Sequence, residues 1–343
     1  MASALLGALL ALVAVELLWR YRQYGPRALT PAGMNSIRPL GRAGMLRGSP
    51  HPEIHWELKP GLDVEFKLAP FRTNAAGLRD REYALEKPAG TFRVAFVGDS
   101  FTMGSGVALE DVFHSRLERL WSERADGLAV DCLNFGVGGY NLLSYVGVLT
   151  HRALAYAPDL VVVCLTANDL DRPPQSGAEG PYRERSVIHP FWRLHCLDGL
   201  WPAPAGEESG SAPTSRERRT DAPPASSGLR ERHEDYLREQ FGRLKALCEE
   251  AGADLVLVHL GHHATPARKR DAGRIREFAL AAELPFYDTL GLFAGSDPSQ
   301  YAILPDDGHP NAAAHALYAR GLGRFLARQG HLPEALQLDG ADG

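Results

Sequence analysis

Thr91-Phe92-Arg93-Val94-Ala95-Phe96-Val97-Gly98-Asp99-Ser100 is the stretch whose reading decides the fold. Val94 to Val97 is apolar without alternation and stops at Gly-Asp-Ser, which marks a short strand buried on both faces. The pattern repeats outward from it. Val112 to Arg124 has helical spacing, and Ala129 to Leu133 is a second strand. Asn141 to Tyr156 is helical, and Leu160 to Leu165, LVVVCL, is a third, wholly apolar strand. Further on, Arg230 to Ala251 is helical, Leu255 to Leu260 a strand, Pro266 to Ala282 a helix and Phe286-Tyr287 a brief strand. Asn311 to Arg328 closes the series as a helix. Strands alternating with helices predict an α/β fold, a parallel sheet with helices on both faces.

The flanks differ in composition. Ala2 to Trp19 is apolar apart from Glu16, and Arg20, Arg22 and Arg27 follow. Its length suffices to cross a bilayer. Residues 1–19 are therefore expected to be an uncleaved anchor; a cleaved signal peptide and a buried helix are the rivals. Residues 20–50, rich in Arg, Gly and Pro, read as a tether. Residues 51–90 contain short alternating runs such as Val64-Glu65-Phe66-Lys67-Leu68 and read as a small β-rich lead-in. The main domain is expected over 91–330, with a tail over 331–343. It is interrupted by a Pro-rich insertion over 171–228, of which 205–227 is expected to be disordered. The apolar run Val187 to Trp192 within it is a candidate lid.

The bulk composition excludes several classes. The chain has 343 residues, 45% of them hydrophobic and 23% charged, with a net charge of −5. A sizeable core is available, and nothing electrostatic favours nucleic acid as a partner. Cys132, Cys164, Cys196 and Cys248 are scattered, so neither a zinc knuckle nor a disulfide framework is implied. Cys132 and Cys164 read as buried thiols. There is no P-loop and no G-x-S-x-G elbow.

Polar residues gather where the strands end, the place where parallel sheets bind ligands. The first strand ends in Gly98-Asp99-Ser100 and the second in Asn134-Phe135-Gly136-Val137-Gly138-Gly139. The third ends in Asn168-Asp169, and Asp306-Asp307-Gly308-His309 precedes the last helix. Singly, each has a plain reading as a cap, a turn or a solvated loop. Together and in this order they resemble the SGNH hydrolases, also called GDSL esterases. The four short blocks of that family match Gly98-Asp99-Ser100, Asn134-x-Gly136-x-x-Gly139, Asn168-Asp169 and Asp306-x-x-His309 over roughly residues 91–328. Arg72-Thr73-Asn74-x-x-Gly77-Leu78-Arg79 further resembles membrane-tethered bacterial members. Phe101 stands where the family name has Leu, and Gly138 where many members carry Ser.

The resemblance implies a three-layer α/β/α sandwich of flavodoxin-like type. It implies Ser100 as nucleophile, His309 as base and Asp306 as the carboxylate that fixes the imidazole tautomer. Asp307 competes for the last role, but the three-residue spacing to His309 favours Asp306. The oxyanion donors would be the N–H groups of Ser100 and Gly139 and the side-chain amide of Asn168, with Gly138 as alternative to Gly139. Asp99 reads as structural. His259, His262 and His263 follow the fourth strand. No carboxylate lies at ligand spacing, so no metal is expected, and His262 and His263 are assigned to the substrate cleft. No cofactor is expected.

The expected activity is hydrolysis of an acyl ester, acetyl among the candidates, on a carbohydrate or lipid. An O-acyltransferase on a cell-envelope sugar shares the same blocks, and a non-catalytic polysaccharide-binding domain is the rival from another class. The arginines after the apolar run would keep the enzyme in the cytoplasm by the positive-inside rule. Resemblance to envelope-acting members places it outside, which is the side taken here.

Overall fold

The alternation expected after Thr91 is present in the computed structural model, which describes residues 2–30, 33, 36, 40–41, 43–125, 127–170, 227–304 and 307–337. In chain order the described helices and strands begin with α1 (Ala2–Tyr24), β1 (Leu46–Gly48), β2 (Trp56–Leu58), β3 (Asp63–Phe66) and β4 (Ala69–Arg72). The main domain contributes β5 (Thr91–Gly98), α2 (Ser100–Met103), α3 (Phe113–Arg124), β6 (Ala129–Asn134), α4 (Leu142–Val148) and β7 (Leu160–Leu165). Then come α5 (Ser227–Ala251), β8 (Asp254–His259), α6 (Pro266–Ala281), β9 (Phe286–Asp288), β10 (Ala302–Leu304), β11 (Asp307–Pro310) and α7 (Ala312–Arg328). Residues 171–226 of the Pro-rich insertion, the candidate lid within them and the tail from 338 lie outside the described residues.

Five parallel strands form one sheet in the order β6-β5-β7-β8-β9. The chain therefore reverses its direction of travel across the sheet at β5, and the crevice beyond that strand is the place for a ligand. Side chains alternate along β5 as the pleat requires. Val94 and Phe96 enter a core with Phe113, Leu117 and Trp121 of α3 and Tyr318 and Leu322 of α7. Ala95 and Val97 enter the opposite core with Leu142 of α4, Phe241 of α5 and Ile275 of α6. Both faces are covered, which is why the strands carry no polar alternation. Trp121 is fully buried; truncating it to Ala would cost about 3–5 kcal/mol.

The lead-in packs on the second of these cores through Leu58, Phe66, Phe71 and Leu78. The stretch read as a tether joins it: Leu40 and Met45 are buried in the same cluster. Ion pairs fasten the lead-in further. Arg81 bridges Glu118 of α3 and Asp131 of β6, and the Tyr83 hydroxyl lies 3.0 Å from the carbonyl oxygen of Cys132.

The apolar run at the N-terminus continues through Tyr24 as one helix. Ser3–Arg22 has a mean hydropathy of 1.8 and is long and apolar enough to cross a membrane. A signal sequence would meet the same test. The Arg20 guanidinium donates to Glu16 one turn earlier, which partly offsets the lone charge in that run.

Candidate active site

Ser100 is the first residue of α2, directly beyond the end of β5. Asp99 caps that helix: one carboxylate oxygen accepts from the Phe101 N–H at 2.8 Å and the other from the Thr166 hydroxyl at 2.9 Å. Asp99 thus ties the nucleophile turn to the end of β7, the structural part the sequence suggested. At the other end of this short helix the carbonyls of Met103 and Gly104 accept from the buried guanidinium of Arg79, over 2.6 and 2.5 Å. Burial pushes Arg79 down to about 10 despite the nearby carboxylates of Asp80 and Glu110. It is therefore a cation in the neutral range, suited to the carbonyl end of a helix.

The turn after β6 lies against the same serine. Asn134 shapes it, accepting from the Gly136 N–H at 2.9 Å and donating to the Thr102 carbonyl at 3.1 Å. A β-carbon at Gly136 would meet the Met103 nitrogen at 2.5 Å, so only glycine fits there. Gly139 has φ +83, the left-handed region that glycine tolerates. At Gly138 a β-carbon would stand 3.7 Å from that of Ser100 and 2.5 Å from Leu40 Cδ1. Leu40 occupies the volume that a serine would need, which accounts for glycine at that position. The carbonyl of Gly138 accepts from the Trp56 indole N–H at 3.2 Å.

β11 pairs antiparallel with β10 and carries His309 to the nucleophile. His309 Nε2 lies 2.9 Å from Ser100 Oγ. On the other side of the ring, Nδ1 meets Asp307 Oδ1. With Nδ1–H donating to that carboxylate, Nε2 is left as the acceptor for the serine hydroxyl. Burial works against the charge on Asp307. The hydrogen bond from His309 and the charges of His309 and Lys67 outweigh it and hold this carboxyl well below the ordinary carboxylate range.

The carboxylate at His309 is thus Asp307, where the spacing argument favoured Asp306, which lies outside the described residues. The reason is local geometry. Asp307 and His309 are two apart on a strand and so share one side, whereas three-residue spacing brings side chains together on a helix. The Asn168 side chain also lies outside the described residues, and its backbone falls in a short 3-10 turn, Ala167–Leu170, after β7.

His262 and His263 line a cleft of about 1000 Å³ together with Thr265, Leu290 and Phe293. It adjoins the serine side through Phe101, whose ring lies 5.5 Å from that of His309 and 5.7 Å from that of His262. Burial, followed by the charges of His263, Arg268 and His309, pushes His262 down to about 3. His259 stands apart from these two, with Nδ1 2.8 Å from Asp288 Oδ1.

The sequence reading missed Lys67, Trp56 and Leu40. Lys67 Nζ lies 2.8 Å from Asp307 Oδ2 and 3.3 Å from His309 Nδ1. No spacing rule links a hairpin residue to a histidine 242 positions later.

The family model for the GDSL-like Lipase/Acylhydrolase family matches residues 96–317. No curated protein matches the chain. Among solved structures, a two-domain esterase (CEX) active on acetylated mannans is 18% identical, with a TM-score of 0.44 over 73% of this chain and 51% of its own. The chain thus spans about half the length of that enzyme. An acetylxylan esterase from Geobacillus stearothermophilus is 17% identical, with a TM-score of 0.43 over 68% of this chain and 94% of its own. TesA is 14% identical, with a TM-score of 0.44 over 70% and 99%.

Proposed function

As the chain belongs to the GDSL-like lipase/acylhydrolase family and is a hydrolase of ester bonds, we propose that it cleaves an acyl ester of a carbohydrate or lipid with Ser100 as nucleophile. The observation that carries this reading is the relay Ser100 Oγ to His309 Nε2 at 2.9 Å, with Asp307 on the far nitrogen.

The chemistry follows from what these groups can do. Ser100 Oγ attacks the acyl carbon as its proton passes to His309 Nε2. Asp307 stabilises the imidazolium that forms and holds its plane. His309 then returns the proton to the departing alcohol as the C–O bond breaks, leaving the acyl group on Ser100. Water, deprotonated by His309, releases the acid and restores the serine. The charge on the carbonyl oxygen falls to the N–H groups of Ser100 and Gly139 and the Asn168 amide, each worth roughly 10²–10³ in rate. The cleft at His262 and His263 is suited to the alcohol portion, and α1 to tethering the enzyme at a membrane.

A fluorophosphonate should label the wild-type chain and leave Ser100→Ala unlabelled. Hydrolysis of p-nitrophenyl acetate should fall by roughly 10⁴–10⁶ in Ser100→Ala and in His309→Ala, with the double variant little worse. Retention of most activity in Ser100→Ala refutes the assignment. Running the assay with a sugar acceptor separates hydrolysis from acyl transfer.

A further inference from the structure

The β3–β4 hairpin turns in two residues, Lys67 and Leu68, because Phe66 pairs directly with Ala69. Both are left-handed, with φ of 50 and 63. Such turns favour Asn and Gly, and a lysine followed by a leucine is conformationally costly there. The strain is held by outside contacts. The Lys67 N–H donates to the Ser36 carbonyl at 2.6 Å, the Leu68 N–H to the Ser36 hydroxyl at 3.2 Å, and Arg27 reaches the Leu68 carbonyl at 3.5 Å. A strained turn that is held in place invites the question of what it aims.

It aims an ammonium group at the hydrolytic site. The Lys67 side chain is 4% exposed. Gly106 leaves room for it: a β-carbon there would come within 3.2 Å of that of Lys67. Burying a cation is unfavourable unless a partner compensates it, and the partner here is the carboxylate that orients His309. The two oxygens of Asp307 are divided: Oδ1 takes His309 Nδ1 and Oδ2 takes Lys67 Nζ.

We propose that Lys67 is a positioning residue of this site, fixing the Asp307 carboxylate so that it holds the His309 ring with Nε2 toward Ser100. The proposal rests on the serine-hydrolase reading above. Lys67 Nζ takes up Oδ2 and so leaves Oδ1 to accept from His309 Nδ1–H. Were Lys67 to donate to Nδ1 itself, the ring proton would sit on Nε2 and face Ser100, the idle tautomer. The Asp307 carboxylate, accepting from both groups, keeps the ring proton on Nδ1 instead. Among the described residues, His309 also faces Ser100 and the Phe101 ring on α2, with His262 beyond that ring.

The test uses the full chain as Lys67→Met, Lys67→Gln and Lys67→Arg, with sites counted by fluorophosphonate labelling. For a short p-nitrophenyl ester, kcat and KM are measured separately. Lys67→Met should lower kcat roughly tenfold and leave KM within about twofold. Lys67→Gln should behave likewise, and Lys67→Arg should restore most of kcat. An unchanged kcat in labelled, folded Lys67→Met or Lys67→Gln overturns the proposal. So does failure of both to fold, which would make the lysine a folding requirement only. A wild-type chain that takes no label would instead defeat the serine-hydrolase reading on which the proposal stands.

Discussion

Trp56 Nε1 donates to the carbonyl oxygen of Gly138 over 3.2 Å, so the lead-in grips the turn that faces Ser100. The Tyr140 hydroxyl, just beyond that turn, donates back to the Trp56 carbonyl at 2.7 Å. The two bonds lock β2 to the loop after β6 in both directions. A segment that looked peripheral thus holds the turn that carries Gly138 and Gly139.

Trp56→Phe keeps most of the packing and deletes one donor. It should cost about 1 kcal/mol of stability and lower kcat for p-nitrophenyl acetate by roughly three- to tenfold through a looser oxyanion turn. Thermal melts and steady-state kinetics read the two effects separately. A drop in Tm with unchanged kcat would show that the turn keeps its shape without the indole.

The two neighbouring aspartates give a sharper contrast. Asp307→Asn should lower kcat by about 10⁴, because the amide cannot hold the imidazole in the needed tautomer. Asp306→Asn should stay within about tenfold of wild type. The reverse order would return the role to Asp306. Stability has a related sign. A carboxyl depressed in the folded state contributes fully above its unfolded value, near 3.9, and that contribution is lost as pH falls below it. Above about pH 4, acid inactivation therefore does not come from Asp307.

His262 predicts a different pH dependence. Folded, it is pushed down to about 3; unfolded, it titrates near 6.5. Above pH 6.5 both states are neutral and its contribution is whole. As pH falls from there toward 3 the unfolded chain gains the proton first, so stability declines, by roughly 2 kcal/mol at pH 5. Buried His315 is shifted in the same direction. Melting temperature should fall between pH 7 and 5, and His262→Gln should reduce that slope. An equal slope in the variant would remove His262 as a source.

Truncation separates anchor from domain. Deleting residues 1–25 removes the apolar helix but spares Ser36, Leu40 and Met45, and should yield a folded enzyme with wild-type kcat. Deleting 1–50 strips Leu40 and Met45 from the core and Ser36 from the Lys67 turn. That protein should melt well below the first or aggregate. Equal stability of the two would make residues 26–50 dispensable.

The sheet was legible because burial on both faces leaves a signal within single strands. Leu160–Leu165 was recognisable from its own six letters. Ser100 and His309, whose side chains meet at 2.9 Å, stood out in the sequence because each stands at a strand end or before a helix cap. Lys67 was not. Val64 to Leu68 alternates like a continuous strand, and no Gly or Asn announces the turn that cuts it. Leu40 and Met45 were hidden by Gly, Pro and Arg neighbours, since their burial depends on a surface made by distant residues. Asp307 was ranked behind Asp306 because spacing was counted without knowing that β11 is extended.

Ser100 and His309 are separated by 209 positions in the chain. On a ribosome adding about 5–20 residues per second, the serine emerges at least ten seconds before its base. A nascent chain holding β5 and α2 therefore still lacks the imidazole proposed to activate Ser100. On that reading, hydrolysis waits until β11 and α7 have settled against the sheet.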